Sequence, residues 1–195
     1  GQAIEKSDRV YIVEGIFHAI ALHLAGFKAI ASISCVNFPW DIVEANKGKS
    51  VTWIIALDDD QAGRNYIPRY LKQLRDMHEL GWVALAGERD WDDVYRDGQL
   101  DDAFMDEACY QGRLFSAKTP MKKAYLQYLK KPKGFFLVEF NNHLYSARVN
   151  LTELQKDLDG DDIEGHNTEF SKHTTLSQVA NCVPRFEYIE KDAVT

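Results

Sequence analysis

Two short apolar runs, each closed by acid, limit what this chain can become. Val10 to Val13 is followed by Glu14 and Gly15, and Ile54 to Leu57 by Asp58, Asp59 and Asp60. After each come small residues and then a stretch of helical period. Buried parallel strands read as continuous apolar runs, and their carboxyl ends face a common crevice. The pattern predicts an α/β fold with these acids at one rim of a parallel sheet. Side chains alternate along a strand, which directs Asp58 and Asp60 to one side and Asp59 away. Carboxylates without neighbouring His or Cys suit a hard cation, Mg2+ or Mn2+, that prefers oxygen.

Three motifs follow in order: V-E-G at Val13 to Gly15, D-D-D-Q-A-G-R at Asp58 to Arg64, and R-D-W-D-D-V-Y at Arg89 to Tyr95. Together they resemble the Toprim family, the metal-binding domain of DnaG-type primases, type IA and type II topoisomerases, OLD-like nucleases and RecR-like proteins. The D-x-D-x-A-G-R form is more similar to primases, including those of phages and mobile elements, than to topoisomerases. The resemblance spans about half the chain. It implies a Toprim (Rossmann-like) parallel sheet with helices on both faces. It also implies a proton-transfer or metal-holding role for Glu14, metal ligation by Asp58 and Asp60, and further metal-binding acids at Asp90 and Asp92. Asp59 is expected to serve only the helix start, and Asp93 to cap the turn after Asp90. Arg64 and Arg89 are placed to meet phosphate oxygens or to balance neighbouring acids.

The 195 residues suffice for one large domain or two small ones, and 45% hydrophobic content supports a packed core. No apolar run reaches the roughly 20 residues of a membrane span, and no leader is visible. Cys35, Cys109 and Cys182 are few, scattered and odd in number, which fits a cytoplasmic chain rather than a disulfide framework. The net charge of −7 is unlike that of a simple nucleic-acid binder. Part of the acidity lies where metal would neutralise it.

Along the chain, helices are expected at Ile16 to Leu24, Trp40 to Asn46 and Gln61 to His78, the last with a bend or a late start at Pro68. Strands are expected at Ala29 to Ile33, Val51 to Leu57 and Trp82 to Leu85. The character changes at Gly98, and a boundary is expected between 98 and 118: a Toprim part, 1–98, then a smaller α+β extension, 99–195. That extension opens with an acidic helix, Leu100 to Tyr110. A second helix starts at Thr119-Pro120, and a hairpin turns at Asn141-Asn142. Asp157 to Thr168 reads as a loop, Thr174 to Asn181 as a short helix and Arg185 to Ile189 as a strand. Lysines from Lys118 to Lys133, including Lys122 and Lys123, alternate with Tyr125 and Tyr128. They read either as a single-strand track or as a solvated helix face over core tyrosines. His18 and His23 read as structural. His143, His166 and His173 lack metal-ligand spacing.

The resemblance implies the catalytic part of a DNA primase or primase–helicase. Its substrates would be nucleoside triphosphates and a single-stranded DNA template. An N-terminal primase domain and a helicase would be further parts of the same polypeptide. Two rival readings stay open: a Toprim endonuclease using the same acids, and a non-catalytic Toprim module for nucleic acid or partner contact.

Overall fold

The computed structural model describes residues 3–157 and 163–182. The chain divides into two compact units, Gly1–Ser116 and Ala117–Thr195.

The first unit is a four-stranded parallel sheet. Its strands are β1 (Arg9–Val13), β2 (Lys28–Ala31), β3 (Thr52–Ile55) and β4 (Leu80–Val83), in the order β2-β1-β3-β4. Between them run α1 (Ile16–Leu24), α2 (Trp40–Ala45) and α3 (Gln61–Asp76), and after β4 come α4 (Trp91–Arg96) and α5 (Asp102–Ser116). The alternation of side chains along the strands builds two cores. Tyr11, Val13, Ile54 and Ala56 face α1, α4 and α5, where Leu22, Trp91, Val94 and Met105 close the layer. Val10, Ile12, Trp53 and Ile55 face α2 and α3, against Val43, Ile67, Tyr70 and Leu74. Helices thus cover both faces. β3 pairs on both sides and is buried along nearly its whole length, as its unbroken apolar run predicted.

Two expectations shift. α3 starts at Gln61 and continues through Pro68 without a late start. An interior proline costs about 3 kcal/mol, and burial of Ile67, Tyr70 and Leu74 on one face offsets it. The change of character at Gly98 is also not the edge of the compact unit. α5 runs on to Ser116 and packs back on β4, and the compact units divide at 116/117, toward the far end of the 98–118 interval. The contact is backbone-close. The Ala108 carbonyl accepts from the Leu85 N–H at 3.0 Å, and a Cβ on Gly112 would lie 2.0 Å from the Val83 carbonyl oxygen.

The second unit holds α6 (Pro120–Lys130), β5 (Phe135–Phe140), β6 (His143–Val149), α7 (Leu151–Asp157), α8 (Ile163–Lys172) and β7 (Thr174–Ala180). Thr119 caps α6 by accepting from the Lys122 N–H. Asn141 and Asn142, both at positive φ, make the expected tight turn between β5 and β6. The strands form an antiparallel sheet, β5-β6-β7, over a core of Tyr125, Phe136, Val138, Leu154 and Phe170. Two readings of this half are corrected. Thr174 to Ala180 is a strand, because pairing with β6 and the β-branched Thr174, Thr175 and Val179 override a short helical pattern. The supposed loop from Asp157 is in part helix, since α8 begins at Ile163 and buries Phe170. The strand expected at 185–189 lies outside the described residues. No helix among the described residues is long and apolar enough to cross a membrane.

Gly112→Ala is expected to destabilise the first unit by about 1–3 kcal/mol, because the methyl meets backbone that cannot rotate aside. Chemical denaturation followed by circular dichroism measures it.

Candidate metal centre

The strand order reverses between β1 and β3, the position at which open α/β sheets leave a crevice beyond their strand ends. Glu14 follows β1 directly, and Asp58 lies three residues beyond the end of β3. Both rims are tied down. The Val13 carbonyl accepts from the Ser32 N–H at 2.8 Å and from the Ser32 hydroxyl at 3.1 Å. In the loop after β2, the Tyr70 hydroxyl donates to the Cys35 carbonyl at 2.5 Å. On the other side the Ala56 N–H donates to the Ile12 carbonyl at 2.8 Å. The buried indole of Trp91 donates to the Ala56 carbonyl at 2.9 Å, anchoring α4 beside Asp58.

The three aspartates after β3 divide their work differently from expectation. The strand ends at Ile55, so its alternation does not reach Asp58 to Asp60. Asp60 is the cap of α3, its Oδ1 accepting from the Gly63 N–H at 2.7 Å. Asp59, expected to serve the helix start, pairs with Arg64 instead, Oδ1 to Nε at 2.5 Å. Gly63 is needed where it stands, since a Cβ there would be 2.2 Å from the Asp58 carbonyl oxygen. Asp90 occupies the cap position of α4 without a side-chain cap bond. Asp93, expected to cap, sits in the first turn and pairs with Arg96.

His18 corrects the sequence reading most. Expected to be structural, it lies at the acid cluster with only 12% of its side chain exposed. Nδ1 is 3.2 Å from Asp58 Oδ1, and Nε2 is 3.3 Å from Asp92 Oδ1. One ligand atom each from His18, Asp58 and Asp90 lies within 4.8 Å of the other two. The signal was present: His18 follows Glu14 by four residues, on the opening turn of α1. Despite the short distance, Nδ1 and Asp58 Oδ1 lack hydrogen-bond geometry, and both atoms are buried without another partner. We read the contact as an ion pair. An orphaned carboxylate oxygen beside a second carboxylate fits a divalent cation.

Crowding sets the electrostatics. Burial, then the Asp58 and Asp60 charges, push the Glu14 carboxyl above its usual range. The Asp58 carboxylate, opposed by burial and helped by Asp92 and Asp90, raises the proton affinity of His18. In the described residues the cations expected to bind phosphate are largely engaged. Arg64 meets Asp59 and lies over the Phe115 ring, and Arg89 bonds Asp97 and Gln99. In the second unit Lys122 lies over Tyr125, and Lys123 donates to the Glu139 carbonyl. Tyr125 is buried, and Tyr128 packs against Phe170, so these tyrosines belong to the core and not to a stacking track. His173, read as lacking ligand spacing, falls within 4.8 Å of ligand atoms of Asp157 and Glu169, where it forms an ion pair with Asp157.

The Toprim-like family matches residues 11–95. Over 88 residues the chain is 36% identical to DNA primase DnaG of Archaeoglobus fulgidus, covering 45% of this chain and 21% of that protein. DNA primase DnaG of Methanopyrus kandleri is 33% identical over 86 residues, 44% of this chain and 20% of the relative. The chain thus spans about a fifth of the length of these curated relatives. The RNA polymerase domain of Mycobacterium tuberculosis primase DnaG is similar over 63% of this chain and 50% of that one, at 18% identity and a TM-score of 0.43. The stretch that carries the acid cluster is a Toprim domain, a class whose members generally bind divalent metals. More particularly, the two sequence relatives are DnaG-type primases, each similar over less than half of this chain.

Two measurements test this geometry. Glu14 and His18 both hold protons more tightly folded than unfolded, so their protonated forms favour the folded state. That contribution is complete below the unfolded values and is lost as pH rises through the folded ones. Without metal, the melting temperature is therefore expected to fall between about pH 5 and pH 8, and added Mn2+ to reduce the fall. Trp91→Phe leaves the Ala56 carbonyl unpaired and is expected to cost about 1–3 kcal/mol of stability and to weaken Mn2+ binding by calorimetry.

Proposed function

We propose that this chain is the metal-binding, catalytic part of a DNA primase, a nucleotidyltransferase that joins nucleoside triphosphates into an RNA primer on single-stranded DNA. The observation that carries the reading is the seating of Glu14 and Asp58 at the ends of paired strands β1 and β3, with a buried Asp58 oxygen left without a hydrogen bond. The chain's similarity, over 88 and 86 residues, to two DNA primases DnaG supports it.

In this reading Asp58, Asp60 and Asp90 hold Mg2+ or Mn2+, with Asp92 at the margin. When bound, the ion supplies charge stabilisation to the phosphate oxygens. Glu14 takes the proton of the primer 3′-hydroxyl onto its carboxylate as that oxygen attacks the α-phosphate and pyrophosphate leaves. Its raised proton affinity suits a base working closer to neutral pH than an ordinary carboxylate does. Arg64 engages Asp59 through Nε, leaving its terminal nitrogens for a phosphate. An N-terminal primase domain supplies most template and nucleotide contacts, and the second unit joins the Toprim domain to a downstream module such as a helicase. The setting is cytoplasmic DNA replication in a phage or mobile element.

The test uses the full-length protein with single-stranded DNA, nucleoside triphosphates and Mn2+. Glu14→Gln is expected to lower primer synthesis about 100-fold or more with metal binding retained, and Asp58→Asn to lower both. Synthesis within about twofold of wild type in Glu14→Gln overturns its role as base. DNA nicking without primer synthesis overturns the reaction.

A further inference from the structure

The acid cluster contains one group that all-oxygen metal chemistry does not require. His18 projects from the first turns of α1 into the space between Asp58 and Asp92, and its ring nitrogens lie 3.2 and 3.3 Å from their carboxylates. A histidine serving only as a salt-bridge partner would be expected to aim an N–H at an oxygen. Here Nδ1 and Asp58 Oδ1 face each other, buried, without that alignment. Two buried polar atoms left without a bond call for a third group that satisfies both.

The ligand set is compatible with a single ion. One atom each from His18, Asp58 and Asp90 lies within 4.8 Å of the others. Two atoms bound to one small octahedral ion are about 3–4 Å apart, so small side-chain rotations close the set. The ring is also held. A Cβ on Gly15 would stand 3.2 Å from Nδ1, so the backbone of Gly15 lies directly against the imidazole. Above it, α4 is pinned by the Trp91 bond to Ala56. The imidazole is therefore presented to the acids by two fixed elements.

We propose that His18 is a direct nitrogen ligand of the ion in this centre, and that it biases the site toward Mn2+ over Mg2+. Carboxylate oxygen suits both ions, whereas imidazole favours first-row transition metals and gives little to Mg2+. The inference rests on the reading above that Asp58 holds the metal, and it adds which metal and through which extra residue.

Electron paramagnetic resonance of bound Mn2+ separates the two. In the wild-type chain, spin-echo envelope modulation is expected to show coupling to a 14N nucleus, lost in His18→Asp. In the same variant the ratio of Mn2+ to Mg2+ affinity, read by competition titration, is expected to fall about tenfold or more, the scale on which changes around a bound metal act. Mn2+ that binds wild type, is lost in Asp58→Asn and shows no nitrogen coupling overturns the His18 proposal while leaving the Asp58 site standing. Mn2+ binding that is absent, or indifferent to Asp58→Asn, overturns both. The wild-type spectrum decides the matter even if His18→Asp does not fold.

Discussion

Carboxylates repel one another, and without a counter-charge nothing in their own chemistry would gather Glu14, Asp58, Asp60, Asp90 and Asp92 at one place. The pairing of β3 with β1 on one side and with β4 on the other imposes it. Arg9 to Ile12 pair in register with Thr52 to Ile55, and this fixes where each strand stops and hence where its acid emerges. The apolar burial that drives the sheet together supplies the free energy, of order 25 cal/mol per Å² removed from water. The charge crowding is a cost laid on a structure already stabilised elsewhere. Its trace is visible in Glu14, whose proton affinity rises because it is buried and flanked by like charge. The metal proposed above would relieve a tension that the strand pairing creates.

The rim is also stiff. Ser32 holds the end of β1 from one side, Tyr70 fixes the loop at Cys35, and Trp91 ties the loop after β3 to α4. The three donors, Ser32, Tyr70 and Trp91, come from three different stretches of sequence. Preorganised ligands lose little freedom when they bind, which is worth more to a metal centre than additional acids on loose loops.

Much of this was legible in the order of residues. Unbroken apolar runs such as Ile54 to Leu57 marked buried parallel strands, and acids after them marked the rim. Thr119-Pro120 and Asn141-Asn142 announced a helix start and a hairpin through local backbone chemistry alone. The misses share a cause: each was decided by a partner distant in sequence. His18 reads as one more residue on a helix until the loops after β3 and β4 arrive beside it. Asp60 took the cap expected of Asp59, and Asp59 paired with Arg64, because Arg64 and the Gly63 N–H fall where α3 begins, not where β3 would have continued. Thr174 to Ala180 became a strand because β6 offered it an open edge. The tyrosines of α6 turned inward because Phe170, more than 40 residues later, packs on them. α5 was recognised as a helix, but its length and its attachment to β4 depend on Gly112, whose missing side chain has meaning only against the Val83 carbonyl.

That last contact bears on how such a domain can be inherited. The family resemblance stops at residue 95, yet β4 is an outer strand of the sheet, with Leu80 and Trp82 partly open to water. A piece of chain ending with the matched motifs would carry an uncovered border able to recruit strands from other molecules. The portable module is longer than its signature: it includes the helix that seals its flank, so recombination between genes would preserve a working sheet only by cutting beyond Ser116.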